Sequence, residues 1–340
     1  MMHVLLLTLF VWAPLCAVVV HLTFRGIHRL LLWLVHPRPL EKNTALYVAF
    51  YRCCGALDGF VKGAPIDANI LAPTLPLLPW HWRFCVQYLP KVAIALSRLR
   101  HRTLPSANGF VVARCKYGDE LLQTGKSGPW RQVVNLGAGL DTRAWRFPHL
   151  SPTCQFFEVD LPAMQHYKRS HLSQKDRSLD NVHWIPIDFE RDSLRERILS
   201  HPAFDPSQQT LFFWEGVSYY LSRETCLQVL RTIHSLCPPG SVVCLDYVDA
   251  DDIDPGRTPH PHHTGMAAFR ELVARIGEPL LCGFPPVARN LKDELQDCGL
   301  KFRVHDHLTP AQVQQRYLTD PDGSHSDATH VFFCVLETLS

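Results

Sequence analysis

Several short signals are missing from this sequence. No Cys-x-x-Cys pair occurs, so zinc-type spacing is absent although the chain holds twelve cysteines. No Asn-x-Ser/Thr sequon occurs, which speaks for a body outside the secretory lumen. Charge of one sign is scarce. The net charge is +2, charged residues make up 19%, and no dense Lys/Arg stripe with interleaved aromatics offers a nucleic-acid face. There is no internal repeat and no low-complexity tract. What is present is ample for a core: 340 residues, 46% hydrophobic, enough for one large domain with elaborations or two small ones. Cys154, Cys244 and Cys334 sit inside apolar runs that read as strands, where a thiol behaves as a small hydrophobe. Reduced, structural cysteines are therefore expected rather than a disulfide framework.

The N-terminus, MMHVLLLTLFVWAPLCAVVV, is apolar from Val4 to Val20, at the lower edge of a membrane-spanning length. A signal peptide is the rival reading, but only His3 precedes the run, so the basic n-region is missing. Arg25, Arg29 and Arg38 follow the run, an asymmetry that would place the remaining chain on the cytoplasmic side. Leu30–Val35 could lie along a membrane surface beside Arg25 and Arg29, and a buried core helix is the alternative. We expect residues 1–36 to form a membrane-associating segment with a cytoplasm-facing body, against a plain cytoplasmic location.

Residues 44–125 carry helical patterns broken by a Pro-rich stretch, and Ser106 is a plausible N-cap for a helix closed by Gly125. From residue 131 to 340 short β-rich runs alternate with amphipathic ones. RQVVNL, CQFFEVD, VHWIPID, TLFFWEG and SVVCLDYV read as strands. Helices are expected from Asp141, after Pro162, over Arg191–Ser200, over Ser222–Leu236 and over about Thr264–Gly277. KFRVHDH and HVFFCVLET, with no strong helix between them, suggest an antiparallel finish. The alternation indicates an α/β, doubly wound, mostly parallel sheet with helices on both faces.

In such a sheet ligands bind beyond the carboxyl ends of the strands. The first strand–helix turn reads Asn135-Leu136-Gly137-Ala138-Gly139-Leu140-Asp141-Thr142. Gly137 and Gly139 permit a tight turn and close approach of a ligand to backbone. The dinucleotide fingerprint needs a third small residue where Thr142 stands. Asp141 adds an anion at the helix start, where a pyrophosphate wants positive potential. The turn thus argues for a nucleoside ligand without phosphates and against NAD. Strand two ends in Glu158 and Asp160, at the distance expected for a ribose contact, with Asp160 at the tip and Glu158 one step lower on the same face. Strand three ends in Asp188-Phe189, which could bind an adenine amino group and cover the ring. Strand four ends in Glu215. The competing reading of Asp160, Asp188 and especially Asp141 is helix N-capping.

VVNLGAGLDTRAWRF, FFEVDLP, IPIDF and WEGVSYYL, in this order, resemble the leucine carboxyl methyltransferase-like family of S-adenosylmethionine-dependent methyltransferases, most closely its O-methyltransferase branch. The likeness covers about residues 44–338. It implies a seven-stranded Rossmann-like fold with an N-terminal helical cap and S-adenosyl-L-methionine as cofactor. It also implies contacts: Arg114 with the methionine carboxylate, Gly137 with the methionine part, Asp160 with ribose, Asp188 and Phe189 with adenine, and Glu215 near the methionine ammonium. Arg114 has a plainer reading as an exposed helix arginine paired with Asp119 or Glu120. Tyr219 and Tyr220 are expected near the transfer site, with aromatic packing as the alternative. No general base stands out, since His183 and His234 read as core or helix-face residues. Arg143 and Arg146 read as surface or cap residues, with a structural role around this site, given their place after the glycine turn, as the alternative. PHPHH (Pro259–His263) and DPDGSHSD superficially resemble metal sites, but neither has the right ligand spacing, and no metal is expected.

The expected function is O-methylation of a small molecule or a carboxylate. The alternatives are methylation of the C-terminal leucine carboxylate of a protein phosphatase subunit, a non-catalytic S-adenosylmethionine-binding module, and a nicotinamide dehydrogenase, which Thr142 disfavours. The acceptor and the oligomeric state are not encoded in any readable motif.

Overall fold

The computed structural model describes residues 44–58, 68–101, 107–124, 130–147, 154–173, 176, 179–253, 264–275, 277–318 and 331–340. Thr44–Ser340 forms one unit and Met1–Asn43 another. The expected membrane-associating segment lies outside the described residues. Among those described, no helix is long and apolar enough to cross a membrane.

The helical cap comprises α1 (Thr44–Asp58), α2 (Ala68–Thr74), a 3₁₀ turn over Leu75–Leu77, α3 (Trp80–Tyr88), α4 (Pro90–His101) and α5 (Ala107–Gln123). The core follows with β1 (Gln132–Leu136), α6 (Arg143–Arg146), β2 (Gln155–Asp160), α7 (Pro162–His171), β3 (Val182–Pro186), α8 (Leu194–Leu199), β4 (Thr210–Trp214), α9 (Arg223–Leu236) and β5 (Val242–Val248). It closes with α10 (Ala250–Ile253), α11 (Thr264–Arg275), α12 (Ala288–Asp297), β6 (Phe302–Leu308), α13 (Pro310–Tyr317) and β7 (Val331–Thr338).

The seven strands run in the order β3-β2-β1-β4-β5-β7-β6. The first five are parallel, and β7 lies antiparallel between β5 and β6, as the last two apolar runs suggested. The order reverses between β1 and β4, so the crevice for a ligand opens beyond those two tips. β1, β4 and β5 are buried along their whole length, which their near-continuous apolar composition requires. Alternate residues feed two cores. Val134, Leu136, Phe157, Phe212 and Trp214 face one side, where α9 covers them with Leu227, Leu230 and Ile233. Val133, Phe156, Leu211 and Phe213 face the other, covered by Val112, Ala113 and Tyr117 of α5. The last helix of the cap therefore packs on the sheet itself.

Four local outcomes differ from expectation. The helix expected from Asp141 is a single turn, Arg143–Arg146, because Pro148 follows and Phe147 leaves the helical region at φ −117°, ψ 64°. The charged helix begins only at Leu194, where the Ser193 hydroxyl accepts from the Glu196 N–H at 3.3 Å. α12 was not foreseen. It buries only Leu291 and Leu295, and its N-cap position holds Val287, so the usual start signal is missing. α13 lies in the space read as holding no strong helix. It is eight residues long and starts from a capping box, Thr309 with Gln312. None of the described cysteines forms a disulfide, and Cys154, Cys244 and Cys334 are buried as expected. Burial pushes the Cys154 thiol up to about 12.

Candidate functional site

The site assembles at the switch point. The Gly137 and Ala138 N–H groups donate to Val159 O at 2.8 and 3.0 Å, which folds the turn back onto β2. Gly137 (φ +69°) and Gly139 (φ +45°) adopt left-handed backbone, and a Cβ on Gly137 would overlap the Val217 side chain. Asp160 fastens this turn. Its Oδ2 accepts the Gly139 N–H at 2.5 Å and its Oδ1 accepts the Leu161 N–H at 2.6 Å. Burial raises the Asp160 carboxyl, and these two bonds oppose the rise. The three residues expected at the turn are thus brought together.

Glu158 is placed differently. It points from the same strand face, but its Oε2 lies 2.5 Å from Lys168 Nζ, and both side chains are buried. A buried ammonium requires a counter-charge, and Glu158 provides it, pinning α7 to β2. Burial pushes its carboxyl up to about 7, with Lys168 opposing. Where a cofactor contact was expected, the structure shows the carboxylate in an ion pair beneath the turn.

Arg143 takes the structural role around the site that was the alternative to a surface or cap position: it is 2% exposed and forms the hub of the tips. Its Nε lies 2.9 Å from Asp119 Oδ1. Its Nη1 and Nη2 grip both oxygens of Glu215 at 2.8 and 3.0 Å. Nη1 also reaches Asp141 Oδ2 at 2.8 Å, and the guanidinium lies over the Phe213 ring at 4.1 Å. The one-turn helix α6 holds Arg143 against α5, where Gly118 leaves the room. A Cβ there would overlap the guanidinium and Glu215. Arg146, whose side chain is also buried, pairs with both oxygens of Asp119.

Asp141 is correspondingly neutralised. Burial alone would raise its carboxyl, but Arg143, Arg52, Arg146 and Lys168 outweigh it and hold it well below the usual carboxylate range. Its Oδ1 also accepts the Arg143 N–H at 2.6 Å, an Asx-type contact just ahead of the one-turn helix, whose N-cap position is Thr142. The argument that an unpaired Asp141 repels a pyrophosphate therefore loses its force. Thr142, fully buried in place of the third glycine, still stands.

Arg114 is 5% exposed, not the surface arginine of the plainer reading. Its Nη1 donates to Asp246 Oδ2 at 2.8 Å and to the Tyr219 hydroxyl at 3.4 Å. Burial works against its charge, but Asp246, Tyr219 and Glu215 more than offset that and keep it cationic. Asp246 was missed by sequence reasoning. The signal was there: one acid inside the buried run VVCLDYV. It is 1% exposed, and its Oδ1 accepts the Gly216 N–H at 2.5 Å. Glu215 stands beside this pair, its carboxyl raised by burial and lowered by Arg143.

Asp188 and Phe189 lie at the tip of β3, both half-buried. Asp188 accepts the Glu190 N–H at 3.1 Å and has Arg191 at 3.5 Å, while Phe189 packs on the core. The Tyr219 and Tyr220 rings meet edge to face at 4.7 Å, and burial raises both phenols well above their ordinary range. His183 bonds Gln155 at 2.7 Å and His234 sits edge-on to Phe302. Among the described residues no group of three or more His, Cys, Asp or Glu is placed to hold a metal ion. PHPHH and DPDGSHSD lie outside them.

A seven-stranded sheet in this order, with β7 reversed and a glycine turn at the switch point, is the class I methyltransferase fold. A crystal structure described as a "putative methyltransferase from Thermobifida fusca YX" shares it, with a TM-score of 0.52 at 18% identity over 74% of this chain and 89% of that one. The family model "Leucine carboxyl methyltransferase" matches residues 80–234. "Putative S-adenosyl-L-methionine-dependent methyltransferase YktD" of Bacillus subtilis is 30% identical over 212 residues, 62% of this chain and 66% of that protein. A Mycobacterium tuberculosis protein with the same description is 34% identical over 173 residues, 50% of this chain and 53% of its own. Over these spans the chain is similar to the leucine carboxyl methyltransferase-like family of S-adenosylmethionine-dependent methyltransferases. It spans between about half and about two thirds of the length of the curated relatives it matches.

Proposed function

We propose that this protein transfers a methyl group from S-adenosylmethionine to an oxygen of a small molecule or a carboxylate. The observation that carries the reading is the pairing of two halves at the strand tips: a glycine turn fastened by Asp160, and a buried arginine, Arg114, beside an oriented acid, Glu215. The donor set fits the cofactor. Arg114 suits the methionine carboxylate, and Glu215 suits the ammonium. Gly137 and Gly139 admit the methionine part against backbone, Asp160 suits the ribose diol, and Asp188 with Phe189 suits adenine.

The bound cofactor would supply an electrophilic methyl on a sulfonium. The chain's own residues bind, orient and exclude water, which is the main demand of an in-line transfer. Arg143 contributes by fixing both oxygens of Glu215. Tyr219 and Tyr220, with phenols raised by burial, are protonated at neutral pH. They can donate hydrogen bonds to an acceptor but are poor bases. That favours an acceptor already ionised, such as a carboxylate, which needs no base. On composition alone, we also propose that Val4–Val20 associates with a membrane and leaves the catalytic unit facing the cytoplasm.

Methyl-labelled S-adenosylmethionine, incubated with the protein and a panel of carboxylic acids and phenols, tests the reading. Base-labile label, released as methanol, is expected. Base-stable label would mean an ether or amine product, and no transfer to any acceptor together with tight cofactor binding would favour a binding module.

A further inference from the structure

Helices α3 and α4 pack against each other and turn an apolar face to solvent. Trp80, Phe84 and Tyr88 recur at every fourth residue, so they share one side of α3. They are 62%, 49% and 63% exposed. Leu89 and Val92 extend the patch, and five of the ten large apolar side chains exposed among the described residues fall between Trp80 and Val92. The other side of α3 already secures the helix through buried His81, Trp82, Cys85 and Val86. A concentration of exposed aromatics of this kind marks an interaction site.

Arg83 of α3 and Lys91 at the start of α4 are both exposed. The sequence holds no Asp or Glu between Asp67 and Asp119. A chain with balanced total charge thus carries no acidic residue in the stretch that bears the exposed aromatics. Aromatic rings with a polar edge, flanked by cations, match the headgroup layer of an anionic bilayer.

We infer that the α3–α4 face seats on an anionic lipid surface, with Trp80, Phe84 and Tyr88 entering the interfacial layer and Arg83 and Lys91 meeting lipid phosphates. This goes beyond the methyltransferase reading and does not rest on it. Nor does it rest on the N-terminal run, which is a separate segment of the chain.

The test uses the whole chain and phosphatidylcholine vesicles with and without phosphatidylserine, carrying brominated acyl chains that quench nearby indoles. Phosphatidylserine should strengthen vesicle binding and raise the quenching, and Trp80→Phe should remove the phosphatidylserine-dependent part of that quenching. Arg83→Gln and Lys91→Gln should each weaken the phosphatidylserine-dependent binding about fivefold, with thermal unfolding unchanged. Phosphatidylserine-dependent quenching that survives Trp80→Phe would overturn the inference and assign the anionic-lipid contact to another segment. Binding indifferent to phosphatidylserine and to both charge changes, or no binding at all, would overturn it too. So would a dimer that Phe84→Ser with Tyr88→Ser converts to a monomer, which would show a second copy covering the face.

Discussion

Arg143 decides most at the residue scale. Removing a partner from a buried ion cluster leaves charge uncompensated and typically costs about 3–5 kcal/mol. Arg143→Ala should lower unfolding free energy by that order in urea titration, by stranding Asp119, Asp141 and Glu215. Arg143→Lys should recover part of the stability but not cofactor affinity, because an ammonium cannot hold both oxygens of Glu215. Equal affinity in Arg143→Lys and wild type would contradict the positioning role. Asp141 yields a pH prediction. Its folded carboxyl lies below its unfolded value, so the folded state binds fewer protons and its contribution to stability is complete above about pH 4. That contribution is lost as pH falls through the depressed folded value. Asp141→Asn should flatten the acid limb of stability against pH, and an unchanged limb would place the acid sensitivity elsewhere. Gly137 and Asp160 were legible in sequence because turn glycines and strand-tip acids occupy places fixed by the fold. Arg143 and Asp246 were not, because their roles depend on partners from α5, β4 and β5 that only the folded chain brings together.

At the scale of elements, legibility followed the strength of the local signal. β1 to β5 could be read from short apolar runs, of which β1, β4 and β5 are buried along their whole length, and α9 from Ser222 followed by a full amphipathic stripe. α12 and α13 could not, since one lacks a capping side chain and the other is a short helix held by its capping box. The two caps make a paired prediction. Ser222→Ala and Thr309→Ala should each cost about 1 kcal/mol in chemical denaturation. Neither should alter S-adenosylmethionine affinity, as α9 and α13 place none of the proposed cofactor contacts. A cofactor effect from Thr309→Ala would mean that α13 bears on the site through Arg316 and Tyr317, which bond Glu120 of α5.

On the scale of the whole molecule, the architecture separates two tasks. The sheet tips bring the glycine turn, Asp160, Arg114 and Glu215 to one crevice, and the cap contributes Arg114 through α5. The remainder of the cap, α3 and α4, turns aromatic and basic side chains outward. Calorimetric titration of the protein with S-adenosylmethionine and, separately, with NADH, alongside Asp160→Ala and Arg114→Ala, decides most directly which nucleotide the tips hold. Binding of S-adenosylmethionine alone is expected, weakened at least about tenfold in each variant, the cost of roughly one charge-assisted hydrogen bond. Binding of NADH, or S-adenosylmethionine binding indifferent to both Asp160 and Arg114, would contradict that expectation.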